Sequence, residues 1–237
     1  HLFLPHIQRP FVWERDRMGR LFDSLMRNYP IQTFLFWRTK DAIKARKFMP
    51  SIKWDPDLSD YYENEKSKKD VEKTFVLDGQ QRLQTLYALF AGSVKDTTGT
   101  KDLEAYADVT AGDHVDGDGL LYPLQFATES PGAGWYRLRD LTAKDANKTS
   151  EDIADAINDR ISDSDKPRER RVRRNVAQLS SLLFQDRHFW VEELDGVASA
   201  GEYPYAVIRD IFVRVNSGGM RLDAADLMFA AMKQKWE

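Results

Sequence analysis

The sequence predicts a mixed α+β fold on three observations. Apolar stripes at helical spacing recur along the chain, short apolar runs of strand length fall between them, and one such run leads through a glycine turn straight into a helix. The first stripe is Met18, Leu21, Phe22, Leu25 and Met26, the i, i+3, i+4, i+7, i+8 pattern of an amphipathic helix, ended by Asn28 and Pro30. Thr33 to Trp37 is an apolar run of strand length, and the charged stretch from Arg38 to Lys73 reads as a surface excursion. Thr74-Phe75-Val76-Leu77 predicts a buried strand, after which Leu83, Leu86, Tyr87 and Phe90 keep helical spacing until Gly92 offers a stop.

Between Asp102 and Arg139 scattered Gly, Asp and Pro leave two candidate strands, Leu120-Leu121-Tyr122 and Trp135-Tyr136-Arg137-Leu138. Helical spacing returns at Ser150-Glu151-Asp152, with Ile153, Ile157 and Ile161 on one face. It recurs from Arg168 to Phe184, with Val172, Val176, Leu179 and Leu183. Phe189-Trp190-Val191 reads as a strand. Val207, Ile208, Ile211, Phe212 and Val215 favour a helix despite their β-branched content, ending at Asn216-Ser217-Gly218-Gly219.

With 237 residues and 42% hydrophobic content, the chain can bury one sizeable core or two small ones. A formal net charge of -3 gives no global attraction for a polyanion, so a nucleic-acid site would have to be a local patch. Cysteine is absent, which excludes a disulfide framework and thiolate chemistry and makes the cytoplasm the default expectation. No run approaches the ~18 apolar residues of a membrane span, and the opening His1-Leu2-Phe3-Leu4-Pro5 lacks the features of a signal peptide, so no membrane partner is expected. The chain has no initiator Met, and a helical pattern from Asp223 through Ala230 to Lys235 runs to its end. A further carboxy-terminal domain is therefore expected. The oligomeric state is not legible.

The chemistry concentrates at Asp78-Gly79-Gln80-Gln81-Arg82. A strand that delivers Asp78 and Gly79 to the mouth of a helix places them beside unpaired backbone N–H groups and about half a unit of positive charge, an anion site. Gly79 permits close backbone approach to a phosphate, and Arg82 offers a planar fork of donors suited to phosphate oxygens. Gln80 and Gln81 can orient water or read a base edge; Asp78 can hold a metal ion or polarise a water. The alternative reading is structural: Asp78 caps the helix, Arg82 pairs with a carboxylate, and the glutamines are solvated.

Asp-Gly-Gln-Gln-Arg-Leu-Gln-Thr-Leu, residues 78 to 86, resembles the signature of the GmrS/GmrD-type restriction endonuclease amino-terminal domain, a branch of the ParB and sulfiredoxin-like superfamily. Leu4-Pro5-His6-Ile7-Gln8-Arg9-Pro10-Phe11-Val12-Trp13 resembles the family's opening Pro-x-x-Gln-Arg-x-x-x-Trp pattern, and Ile211 to Gly219 resembles its Phe-x-Arg-Ile-Asn-x-Gly-Gly stretch. The resemblance implies a ParB/sulfiredoxin-like core with a small sheet flanked by helices and an additional helical region. Residues 1–95 would form that core, 96–200 an insertion, and 201–237 a helical segment returning to the core. It further implies that a nucleoside triphosphate is bound and hydrolysed with Mg2+, licensing DNA cleavage by a carboxy-terminal nuclease. Carried onto this sequence, Asp78, Gln81 and Arg82 become catalytic, with Asp78 as metal ligand and Gln81 orienting the attacking water. Gln8, Arg9, Gly79, Gln80, Arg82, Arg214, Asn216, Ser217 and Gly218 would bind the nucleotide. Met220-Arg221-Leu222-Asp223 departs from the family pattern, which more often has a small hydroxyl residue after the leucine. A catalytically idle module that senses DNA or a nucleotide is the alternative. A third, less favoured, is that the domain itself cuts DNA.

Arg170, Arg171, Arg173 and Arg174 crowd the start of a predicted helix and could contact DNA phosphates, although Glu169 and the acidic residues before them favour a solvated or intramolecular role. The four histidines, His1, His6, His114 and His188, show no metal-ligand spacing. Asp113, Asp116 and Asp118 resemble a calcium loop but lack its closing glutamate and read as a turn.

Overall fold

The structure is a computed structural model that describes residues 2–5, 8, 11–43, 45–47, 51–52, 71–161, 163, 165–184, 189–198 and 201–217, with 45–47, 51–52, 216 and 217 described in backbone alone. Those residues form an α+β fold. The first half runs β1 (Leu2–Pro5), α1 (Arg15–Met26), β2 (Phe34–Thr39), β3 (Ala45–Lys47), β4 (Ser51–Ile52), β5 (Lys73–Asp78), α2 (Gln80–Phe90) and β6 (Ser93–Lys95). The second runs β7 (Asp102–Asp108), β8 (Leu124–Ala127), β9 (Trp135–Arg137), a 3-10 turn (Leu138–Leu141), α3 (Ser150–Arg160), α4 (Lys166–Phe184), β10 (Val191–Asp195) and α5 (Tyr205–Ser217).

Phe75, Val76 and Leu77 are buried in succession, the continuous apolar run of a strand covered on both faces, and their strand β5 lies at the centre of a sheet ordered β10-β2-β5-β1-β3. Alternation then sorts the contacts. Phe75 and Leu77 join Trp37 of β2 against Ile208 and Phe212 of α5. Phe34, of opposite parity to Trp37, packs with Leu21 and Leu25 of α1, and Leu83 and Leu86 of α2 lie against the same cluster. So α5 covers one face, and α1 and α2 the other.

A second sheet is ordered β4-β6-β7-β8, with β9 also on β7. It carries the larger core, in which Phe22 and Met26 of α1, Leu89 and Phe90 of α2, Ala105 and Ala107 of β7, Ile153 and Ile157 of α3, and Val172 and Val176 of α4 are buried together. The helices α1 and α2 therefore serve both cores, and α2 carries the motif turn at its start.

The helices and the strands β2, β5 and β9 fall where the periodicity places them. Leu120-Leu121-Tyr122 does not form a strand. Asp23, buried on α1, accepts both the Leu121 and Tyr122 N–H groups on Oδ1 at 2.9 Å, so those donors go to a carboxylate and not to a ladder; the strand forms four residues later, as β8. Phe189 and Trp190 precede β10, which begins only at Val191. The strands β1 and β7 and the short β6 are additions to the expected elements, as are β3 and β4 inside the charged stretch, whose residues 44, 48–50 and 53–70 lie outside the described residues. The start at Ser150 is fixed by a capping box, in which Thr149 accepts from Asp152 N and the Asp152 carboxylate accepts from Thr149 N. Asp116 turns its loop by accepting from Asp118 N and Leu120 N. The pattern from 223 to 235 lies outside the described residues. No helix among them is long and apolar enough to cross a membrane.

Candidate functional site

The turn between β5 and α2 is built around Gly79, whose φ of +86° is left-handed backbone that L side chains avoid. A Cβ there would lie 2.4 Å from Phe34 Cδ1, so glycine is required twice over, by conformation and by space. With Gly79 as N-cap, α2 begins without a side-chain cap and with no acidic residue in its first turn. The contrast is α3, which has its capping box and both Glu151 and Asp152 in the first turn. The first turn of α2 thus contributes neither cap nor anion of its own, and the adjoining carboxylate is Asp78, one residue before the N-cap.

Asp78 and Arg82 face one another across this turn, with Arg82 Nη2 3.2 Å from Asp78 Oδ2. The guanidinium also donates from Nη1 to the Ile31 carbonyl and from Nη2 to the Thr33 carbonyl at 3.2 Å, and lies 5.1 Å above the Phe34 ring. Its side chain is only 11% exposed. Burial pushes the Arg82 guanidinium below its ordinary value, with the Asp78 charge pulling the other way. Arg82 therefore anchors the loop from Ile31 to Thr33, where Gln32 takes a φ of +70°. It still keeps Nε and one Nη1 hydrogen without a partner among the described residues.

The opening segment is stitched to this turn. Gln8 is buried and donates from Nε2 to the carbonyls of Val76 and Leu77, both at 2.8 Å. Gln81 Oε1 accepts from Val12 N at 2.8 Å and Trp13 N at 3.2 Å. Gln80 is buried and donates to Gln84 Oε1, one turn along, at 3.0 Å, while Thr85 returns its hydroxyl to the Gln81 carbonyl. Polar residues thus occupy a buried face of α2, and Gln84 and the Ile31–Thr33 loop are parts of the site absent from the expected site residues. The signal for Gln84 was its i+4 spacing from Gln80; the loop gave none.

The remaining expected site residues are more scattered. Arg9 and Gly218 lie outside the described residues, as do the side chains of Asn216 and Ser217. Arg214 stands exposed on α5 and pairs with Asp210 at 2.8 Å. On α4, Arg171 pairs with Asp113 at 2.6 Å and donates to the Thr110 carbonyl at 3.0 Å, Arg173 pairs with Asp155 at 2.6 Å, and Arg174 Nε donates to Asn175 Oδ1 at 3.4 Å. Arg170 is exposed. No group of three or more His, Cys, Asp or Glu able to hold a metal ion gathers among the described residues.

Fold and site together define an α+β domain organised about a strand, a left-handed glycine and an uncapped helix carrying Asp-Gly-Gln-Gln-Arg. The family model described as GmrSD restriction endonuclease, N-terminal domain, matches residues 1–233, and the chain belongs to that family. It is an amino-terminal domain of a restriction-type defence protein. A search of curated proteins finds no match.

Proposed function

We propose that the turn Asp78 to Arg82 binds a nucleoside triphosphate and hydrolyses it, and that this turnover regulates DNA cleavage by a carboxy-terminal nuclease of the same protein. The observation that carries the reading is the start of α2: a helix of eleven residues opens on a left-handed glycine with neither side-chain cap nor first-turn acid, between Asp78 and Arg82. Backbone N–H groups and the helix dipole there suit a phosphate. The reaction is attack of water on the terminal phosphorus with departure of the diphosphate, in which charge neutralisation and positioning supply most of the acceleration. Arg82, already desolvated, would direct its Nε and remaining Nη1 donor at the phosphate oxygens, where they act more strongly than in water.

Mg2+ in such sites is commonly held by one or two carboxylates and the substrate's own phosphates. Asp78, whose side chain is 35% exposed, fits that limited requirement. When bound, the ion would neutralise charge on the phosphate oxygens. Gln81 has both acceptor positions of Oε1 on backbone amides, so we assign it first to positioning the opening segment; orienting the attacking water through Oε1 would require those bonds to open. Gln8 and Arg9 would bring the opening segment to the nucleotide, and Arg214 with residues 216 to 218 would close the other side. One observation favours the second reading, a binding module without turnover: the Arg82 guanidinium is held by loop carbonyls and Asp78.

Turnover separates the two. Phosphate release from ATP, GTP, CTP and UTP with Mg2+ is expected for the chain and not for Asp78→Asn or Arg82→Lys, each first shown to be folded by circular dichroism. Absence of release from all four, together with absence of nucleotide binding by calorimetry, sinks the triphosphatase.

A further inference from the structure

A cleft of about 310 Å³ opens on the other half of the molecule, between β9, the 3-10 turn and α3, sharing no lining residue with the motif turn. The helix α2 separates the two places. Its eleven residues rise about 16 Å from Gln80 at the motif to Phe90, whose carbonyl accepts the Thr142 hydroxyl just past the 3-10 turn. The volume is at the lower end of the usual ligand-site range, about 300–1,000 Å³.

The floor is a polar cluster on an apolar base. Tyr136 donates its hydroxyl to Asp145 Oδ2 at 3.0 Å, and Lys148 closes on Asp145 Oδ1 at 2.8 Å, beside buried Ile153 and Ile157. The other carboxylate of the lining, Asp140, is taken by Arg137 at 2.7 Å, and Arg137 also reaches Glu104. Every carboxylate of the cleft is therefore spent on an internal cation or hydroxyl. Two exposed cations of the lining, Lys144 and Arg160, make no hydrogen bond or close ion pair among the described residues, and Lys144 feels Asp145 only through its charge. The uncompensated charge of the cleft is positive. Trp135, half-buried at the start of β9 and backed by Gly132, where a Cβ would come within 3.3 Å of its ring, adds a flat apolar wall.

We propose that this cleft is a second ligand site, which takes a single nucleotide unit with its phosphate against Lys144 and Arg160 and its base against the Trp135 ring. Exposed Lys and Arg supply charge-assisted contacts to phosphate oxygens, and an indole face stacks on any base. The required ligand chemistry, one phosphate joined to one planar ring, is offered by a free nucleotide and by a nucleotide of a DNA strand alike. The site stands independently of the triphosphatase.

The test titrates the chain with dGMP, deoxyguanosine, inorganic phosphate and a short single-stranded oligodeoxynucleotide, by calorimetry and tryptophan fluorescence. The variants are the double substitution Lys144→Gln/Arg160→Gln and, separately, Trp135→Phe. The double substitution is expected to weaken dGMP or oligonucleotide binding by about tenfold or more, as for loss of charge-assisted phosphate contacts, while phosphate release from triphosphates is unchanged. Trp135→Phe is expected to weaken binding and remove the fluorescence change. Binding of dGMP assigns the site to free nucleotides; binding of the oligonucleotide alone assigns it to a strand. The proposal is overturned if neither binds, if binding survives the double substitution, or if inorganic phosphate competes as well as dGMP. Both altered cations are exposed, so folding is retained, and circular dichroism checks it.

Discussion

Replacing Gly79 by alanine isolates the most constrained point of the motif turn, and Gly99 supplies an internal standard. Both glycines have positive φ, +86° and +73°. A Cβ on Gly99 meets nothing within 4 Å, so Gly99→Ala carries the conformational cost alone, about 1–2 kcal/mol. A Cβ on Gly79 would come within 2.4 Å of Phe34 Cδ1, and Phe34 is 1% exposed in the cluster with Leu21, Leu25 and Ile31, so its ring cannot move without disturbing the packing beneath the turn. Overpacking of that kind costs a further ~1–3 kcal/mol, and Gly79→Ala should therefore lose about 2–5 kcal/mol in all. Equilibrium urea unfolding of the wild type and the two variants measures both. A Gly79→Ala variant no less stable than Gly99→Ala would refute the claim that Phe34 holds the turn shut against a side chain.

Three further outcomes are expected. Asp23→Ala strips an acceptor from the Leu121 and Tyr122 amides, whereas Asp23→Asn keeps one, so thermal unfolding should place the alanine variant about 1–3 kcal/mol below the asparagine variant; equal stability would contradict the account of why residues 120–122 are not a strand. Gln8→Ala removes two buried hydrogen bonds to Val76 and Leu77 and should cost about 1–3 kcal/mol, read as a lower urea midpoint; an unchanged midpoint would show that the opening segment is not held this way. Burial works to raise the Asp145 carboxyl, but hydrogen bonds from Lys148 and Tyr136 outweigh it and hold the group below the ordinary aspartate value of 3.8. Its ionised form therefore adds stability that is fully present above that value and is lost as pH falls through the depressed folded-state value. The stability advantage of the wild type over Asp145→Asn should shrink at the acid end of a pH series, and an advantage constant with pH would contradict the assignment.

Local spacing carried the elements that bury one face. The stripes at Met18 to Met26, Val172 to Leu183 and Val207 to Val215 each became a helix, because burial of an amphipathic face outweighs the β-branched content of the last. In β7, by contrast, Leu103, Ala105 and Ala107 are buried but so is Tyr106 between the two alanines, so period-two alternation is weak in contrast and broken at its centre. The displaced β8 depended on Asp23, about a hundred residues away, a contact no local pattern can encode. The same limit applies at the site. Asp78, Gly79 and Arg82 were legible as a strand-to-helix turn, but the loop carbonyls that occupy Arg82 and the backbone amides that occupy Gln81 come from segments 49–51 and 68–69 residues away. Intramolecular pairing of Arg171 and Arg173 was foreseeable in kind from the surrounding acids, though Asp113 as a partner was not.

The central claim is that a triphosphate sits at the amino end of α2, and amide hydrogen exchange across residues 78–83 tests it most directly. First-turn amides of a helix lack intrahelical acceptors and exchange readily unless something else accepts from them. With saturating triphosphate and Mg2+, exchange at Gln80, Gln81 and Arg82 should slow well beyond any general stabilisation of the chain, and Asp78→Asn should abolish the effect. Nucleotide binding without added protection of those three amides would contradict the account and move the phosphate elsewhere.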